Sequence, residues 1–150
     1  MRKKFDDMNG IMWYYDKSSP QYVNSRTNFY AYIGKKENGK PWLRMVIQYV
    51  AEDWLFIEKY IIKVDGKTYN ITEEKYGEIE TDNGGGIWEW LDRTVSNSEF
   101  EIIKAIANGK NVKIRFSGKK YYKDKTVSSK EKLALRNVLE AYEALGGTLK

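Results

Sequence analysis

The stretch Trp54-Leu55-Phe56-Ile57-Glu58-Lys59-Tyr60-Ile61-Ile62-Lys63-Val64-Asp65-Gly66-Lys67-Thr68-Tyr69-Asn70-Ile71 decides the fold. Even positions from Trp54 to Val64 are apolar or aromatic except Glu58, and odd positions mix Leu55, Ile57 and Ile61 with Lys59 and Lys63. Such alternation, with one strongly apolar face, predicts a long strand near the middle of a sheet. Asp65-Gly66 supplies the positive φ angles of a type I′ turn, so the chain returns antiparallel from Lys67 to Ile71. A two-residue loop sets Val64 opposite Lys67, Ile62 opposite Tyr69 and Tyr60 opposite Ile71, the last two being favourable pairs on one face.

On the N-terminal side, Ile11–Tyr15 reads as a strand after an Asn9-Gly10 turn, and Asp16–Arg26 as a polar loop containing Pro20. Asn28–Gly34 is a strand with aromatics on both faces, and Lys35–Lys40 a hairpin loop centred on Asn38-Gly39. Trp42–Val50 then carries Leu43, Met45, Ile47 and Tyr49 on one face, and Trp42, Arg44, Val46, Gln48 and Val50 on the other. On the C-terminal side, Thr72–Gly77 suits one helical turn and Thr81–Gly86 a turn. Ile87–Leu91 alternates, with Trp88 and Trp90 on one face and Glu89 opposite. Ser96–Glu99 and Ser128–Glu131 each fit a capping box, as does Ser98–Glu101 one step on from the first. They open helices whose apolar stripes run through Phe100, Ile103, Ile106 and Ala107, and through Leu135, Val138, Leu139, Tyr142 and Leu145. Between the helices, Val112–Phe116 is a strand that Ser117-Gly118 turns into Lys119–Tyr122.

No internal repeat, low-complexity tract or long linker divides the 150 residues, so a single domain is expected over 1–150. The fold class is α+β and mainly β. An antiparallel sheet or β-sandwich of about seven to nine strands is expected, with two helices at about 97–108 and 129–145.

Composition narrows the chemistry. Aromatics make up 15% of the chain, more than half of them Tyr, and there is neither Cys nor His. Disulfides, thiolate chemistry and any His-based triad are therefore outside its reach, and the commonest metal ligands are missing. No cofactor, metal site or catalytic residue is expected, and the chain reads as no enzyme. Met1-Arg2-Lys3-Lys4 is followed by Phe5-Asp6-Asp7 where a signal peptide would be apolar, and no apolar run reaches the length of a membrane span. A cytoplasmic protein is the expectation, unless the chain is a trimmed lipoprotein or fusion fragment.

Asp53-Trp54-Leu55-Phe56-Ile57, Lys63-Val64-Asp65-Gly66-Lys67-Thr68-Tyr69, Gly85-Gly86-Ile87-Trp88-Glu89-Trp90 and the stretch from Ile114 to Gly147 carry a resemblance. Over Phe29–Gly147 the chain resembles a β-rich domain of uncharacterised bacterial and phage proteins, found at times behind a lipoprotein signal or another small module. The resemblance implies an accessory binding domain of the kind mobile elements carry. It brings no activity, cofactor or catalytic residue. The lipobox cysteine of the lipoprotein members is absent here, so no membrane anchor is implied.

Three features could carry function. Lys110–Lys125 holds seven cations, among them Lys113, Arg115, Lys119 and Lys120, against Asp124 alone, and its net charge exceeds the +5 of the whole chain. With Tyr121 and Tyr122 beside it, this hairpin suits nucleic acid or another polyanion, phosphates pairing with cations while bases stack on rings. It equally suits a solvated edge that discourages strand pairing. Trp88 and Trp90, near Glu89 and Asp92, offer either a stacking platform with carboxylates for acid–base chemistry or two core residues with Glu89 solvated. Glu58 interrupts the apolar face and could pair with Arg44 or Lys59, or lie at a strand end. The reading that follows is a non-enzymatic binding module with a protein partner. Nucleic acid or polyanion binding by the 110–125 hairpin is the alternative, and a small carboxylate-based hydrolase the third.

Overall fold

The computed structural model describes residues 1–148. Ten strands and two helices follow one another in these residues: β1 Arg2–Asp6, β2 Ile11–Tyr15, β3 Asn28–Lys36, β4 Trp42–Ala51, β5 Ile57–Val64, β6 Lys67–Thr72, β7 Glu80–Asn83, β8 Ile87–Thr94, α1 Asn97–Asn108, β9 Val112–Gly118, β10 Tyr122–Thr126 and α2 Ser129–Ala144. They build a six-stranded antiparallel sheet of order β1-β2-β3-β4-β8-β7 and a four-stranded one of order β10-β9-β5-β6. Both sheets turn one face inward to a common core, where Tyr49 of β4 meets Phe116 of β9 at 5.3 Å between ring centroids. The helices complete that core with Phe100, Ile102, Ile103 and Ile106 from α1 and Leu135, Val138 and Leu139 from α2. No helix among the described residues is long and apolar enough to cross a membrane.

The central hairpin has the expected register: Val64 faces Lys67, Ile62 faces Tyr69 and Tyr60 faces Ile71. Asp65 and Gly66 take φ of 48° and 92°. The Asp65 carboxylate also accepts from the backbone N–H groups of Lys110 and Asn111, so the turn clasps the entry to β9.

The strand is shorter than its alternation predicts. It begins at Ile57, and Glu58 is the extra residue of a β-bulge, where the register against β9 shifts between Ile57 and Lys59. The bulge swings exposed Glu58 off the inner face and lets Ile57 and Tyr60 both point inward. Glu58 therefore marks a change of register within the apolar face, and Arg44, its suggested partner, lies on the other sheet paired with Asp92. Trp54–Phe56 forms a loop ahead of the strand.

Two other departures share one cause, the absence of an apolar pattern in edge strands. β1 and β7 are short and polar, so β1 went unforeseen and β7 occupies part of the expected 81–86 turn. Thr72–Gly77 forms no helical turn: Thr72 ends β6, the Glu74 N–H donates to the Glu78 carboxylate, and the Glu73 carboxylate accepts from the Ile79 N–H. The return strand of the basic hairpin runs over Tyr122–Thr126.

A short repeat does exist, at the two places where a strand leads into a helix. Arg93-Thr94-Val95-Ser96-Asn97-Ser98-Glu99 and Lys125-Thr126-Val127-Ser128-Ser129-Lys130-Glu131 share the pattern cation-Thr-Val-Ser-x-x-Glu. In each, the N-cap serine side chain accepts from the glutamate N–H while the glutamate accepts from the serine N–H, at 3.0 Å in both copies. In each, the buried glutamate also pairs with the cation at the end of the preceding strand, Arg93 with Glu99 and Lys125 with Glu131. Glu131 further accepts from the N–H of Phe29, tying α2 to β3.

Candidate binding surfaces

Alternation through the six-stranded sheet leaves an outer face that is aromatic. Trp13 and Tyr15 of β2, Tyr30 and Tyr32 of β3, Trp42 and Val46 of β4, and Trp88 and Trp90 of β8 all stand away from the main core. Tyr30, Tyr32 and Val46 are buried beneath their neighbours, whereas the four Trp and Tyr15 are half-buried. Gly34 sits beneath Trp13 and Trp42, whose rings cross edge to face at 5.7 Å. A Cβ at that position would come within 2.6 Å of both.

The centre of this face is polar and ordered. The Tyr32 hydroxyl donates to Asp92 Oδ1 at 2.7 Å and accepts from Arg44 Nε at 2.9 Å, and Arg44 pairs with Asp92 at 3.1 Å. Tyr15 stacks on Tyr32 with centroids 5.0 Å apart, and the Arg2 guanidinium lies 4.9 Å from the Tyr15 ring. Burial pushes the Tyr32 phenol well above its ordinary range, and the Asp92 charge adds to the shift. Burial opposes the Arg44 charge, but Tyr32 and Asp92 outweigh it and hold that guanidinium above its ordinary range.

Trp88 and Trp90 thus belong to the outer face, and Glu89 points into the core, fully buried. Of the two alternatives the sequence left open, the one with core Trp and solvated Glu89 is excluded. Glu89 Oε2 accepts from the N–H groups of Leu55 and Phe56 at 2.8 and 3.2 Å, and Oε1 from that of Ile57 at 2.7 Å. Three N–H donors satisfy a buried carboxylate. They also bolt the two sheets together. Glu89 and Asp92 lie on opposite sides of β8, so the sheet does not bring these carboxylates together beside the Trp pair.

The four-stranded sheet has an outer face of the opposite character. Lys59 and Lys63 of β5 lie beside Ser117 and Lys113 of β9, with Arg115 between, and β6 adds Thr68, Asn70 and Thr72. Arg115 is held by both Asp124 oxygens at 2.8 and 2.9 Å and sits 3.7 Å from the Tyr122 ring centroid. Past Lys113, a cleft of about 570 Å³ gathers Lys63, Lys110, Lys113 and Lys132 with no carboxylate in its lining. At the opposite end, Lys119, Lys120 and Tyr121 meet Trp54 and Phe56. The basic hairpin is therefore exposed as expected, but Lys113 and Lys119–Tyr121 serve different ends of the face. Trp88 and Trp90 belong to the other sheet altogether. Sequence reasoning missed Trp54 and Phe56, which it assigned to a buried strand face. It also missed Lys63, which joins Lys113 through the β5–β9 pairing, and Lys132, whose ammonium donates to the Lys110 carbonyl from α2.

Among the described residues no group of His, Cys, Asp and Glu could hold a metal ion. No family model, curated protein or solved structure matches the chain.

Proposed function

We propose that the chain is a non-enzymatic binding module that takes a protein partner on the outer face of its six-stranded sheet. One observation carries this reading: four half-buried Trp share one sheet face with a Tyr32–Arg44–Asp92 centre in which the buried Tyr32 joins both charges through its hydroxyl. Tyr, Trp and Arg are the residues that supply most binding energy at protein interfaces, and they do so from ordered, water-poor centres. The resemblance to accessory domains of bacterial and phage proteins supports the same reading. The test is a pull-down from the source cell, followed by titration of the purified partner against wild type and Trp88→Ala/Trp90→Ala. A single stoichiometric protein whose Kd rises at least about 10-fold in the double variant, at an unchanged melting temperature, is expected. A partner that binds both forms equally would place its site elsewhere and defeat the reading.

A further inference from the structure

The corner where the Trp54–Phe56 loop meets the 118–121 turn is unlike either face. The Trp54 and Phe56 rings lie nearly parallel, 11° between planes and 5.6 Å between centroids, and Phe56 is 53% exposed. Phe56 also takes φ of 54°, a conformation that a bulky side chain rarely adopts and that persists only where the surroundings impose it. Here the imposing group is Glu89, whose carboxylate collects the N–H groups of residues 55, 56 and 57. The facing turn is fitted to the loop just as closely. Lys119 N–H donates to the Leu55 carbonyl at 3.3 Å, and a Cβ on Gly118 would lie 2.0 Å from that oxygen. The result is a cleft of about 340 Å³ lined by Trp54, Leu55, Phe56, Lys119, Lys120 and Tyr121: three rings and two ammonium groups, with no carboxylate.

We propose that this corner is a stacking subsite for a base of single-stranded nucleic acid, whose phosphate backbone then crosses the basic face of the four-stranded sheet. The path is continuous in the β-register. From the corner it passes Lys59 beside Ser117, then Arg115, then the Lys63–Lys113 pair, and reaches the cleft holding Lys110 and Lys132. Ser117 to Lys113 covers roughly 13 Å along β9. Preformed parallel rings beside cations select a planar, anionic ligand, and only an unpaired strand offers its base faces. An acidic protein segment would use the lysines and leave the rings idle. The subsite lies on the opposite sheet from the proposed protein-binding face and does not depend on it.

The experiment is fluorescence anisotropy at physiological salt with a labelled single-stranded DNA 12-mer and the corresponding duplex. Heparin and polyglutamate serve as anions without bases. Phe56→Gly removes the ring and keeps the positive φ without strain, and Phe56→Asn is the second variant should the first fail to fold. Tighter binding of the single strand than of the duplex is expected. Either Phe56 variant should weaken it roughly 10-fold while leaving the salt dependence unchanged. Lys63→Ser/Lys113→Ser should lower the slope of log K against log salt by about 1.4, for two phosphates no longer neutralised. Duplex bound as tightly as single strand, polyglutamate or heparin bound as tightly as DNA, or full affinity in both Phe56 variants would each overturn the proposal.

Discussion

The two solvent-facing sides of this molecule come from the same alternating pattern and differ in nearly everything else. The six-stranded sheet shows rings packed on one another around a Tyr32–Arg44–Asp92 centre anchored on the buried Tyr32, and the four-stranded sheet shows separated lysines among Thr and Asn. The first is a packed layer in its own right, so a substitution there meets neighbours on every side. The second is a fringe of long side chains in water, where neighbours give way. The lesson concerns stability as much as binding. An outer face can be part of the core's energetics when its residues bury one another.

The largest effect should come from the residue that holds both faces in place. Glu89→Ala removes the acceptor of three N–H groups at the join between the sheets, those of Leu55 and Ile57 being buried. We expect a loss of about 3 kcal/mol or more in urea denaturation. A loss under about 1 kcal/mol would show that the sheets are held together without it. Next in size is a matched pair of glycine and asparagine substitutions. Gly34→Val drives a side chain into Trp13 and Trp42 and should cost about 1–3 kcal/mol. Asn70→Val, on the exposed edge of the other sheet, should stay within about 0.5 kcal/mol. Equal costs would erase the distinction between packed layer and fringe.

The smallest effects should separate the faces by pH. Burial raises the Tyr30 and Tyr32 phenols, aided by the Asp92 charge. A raised folded value means their contribution is fully present below the ordinary phenol value near 10 and is lost as pH climbs past it. On the other face, the hydrogen bond from Arg115 lowers the Asp124 carboxyl, so that contribution is present above the ordinary carboxylate range and fades as pH falls through and below it. Asp124 is solvent-exposed and salt-screened, so its effect is the weaker of the two. Urea midpoints between pH 3 and 11 should show Tyr32→Phe flattening the alkaline limb and Asp124→Asn touching only the acid limb. A Tyr32→Phe protein with an unchanged alkaline limb would contradict the assignment.

Local chemistry explains which parts of the structure were readable in the sequence. The Asp65-Gly66 hairpin and both capped helices are specified by residues within a few positions of one another, and they lie where the pattern puts them. The Trp54–Phe56 loop was misread because its geometry is set by Glu89, more than thirty residues away. Alternation through Ile87–Leu91 was visible too, but which side of it faces inward is not a property of alternation. That depends on whether another segment offers donors to a buried carboxylate, and the loop into β5 does. For the same reason the basic hairpin was legible as a charged segment. Its division into an aromatic corner and a lysine cleft required the β5–β9 register.

The repeated cation-Thr-Val-Ser-x-x-Glu corner bears on how quickly this chain can find its fold. Each copy closes over residues only six apart, Arg93 to Glu99 and Lys125 to Glu131, whereas β4 and β8 pair Arg44 with Thr94. Contacts close in sequence cost little loop entropy and form early, and distant strand pairings set the pace. Both helices can therefore be started and aimed by their own strands before either sheet is complete. The slow search for long-range register then begins from two corners already turned.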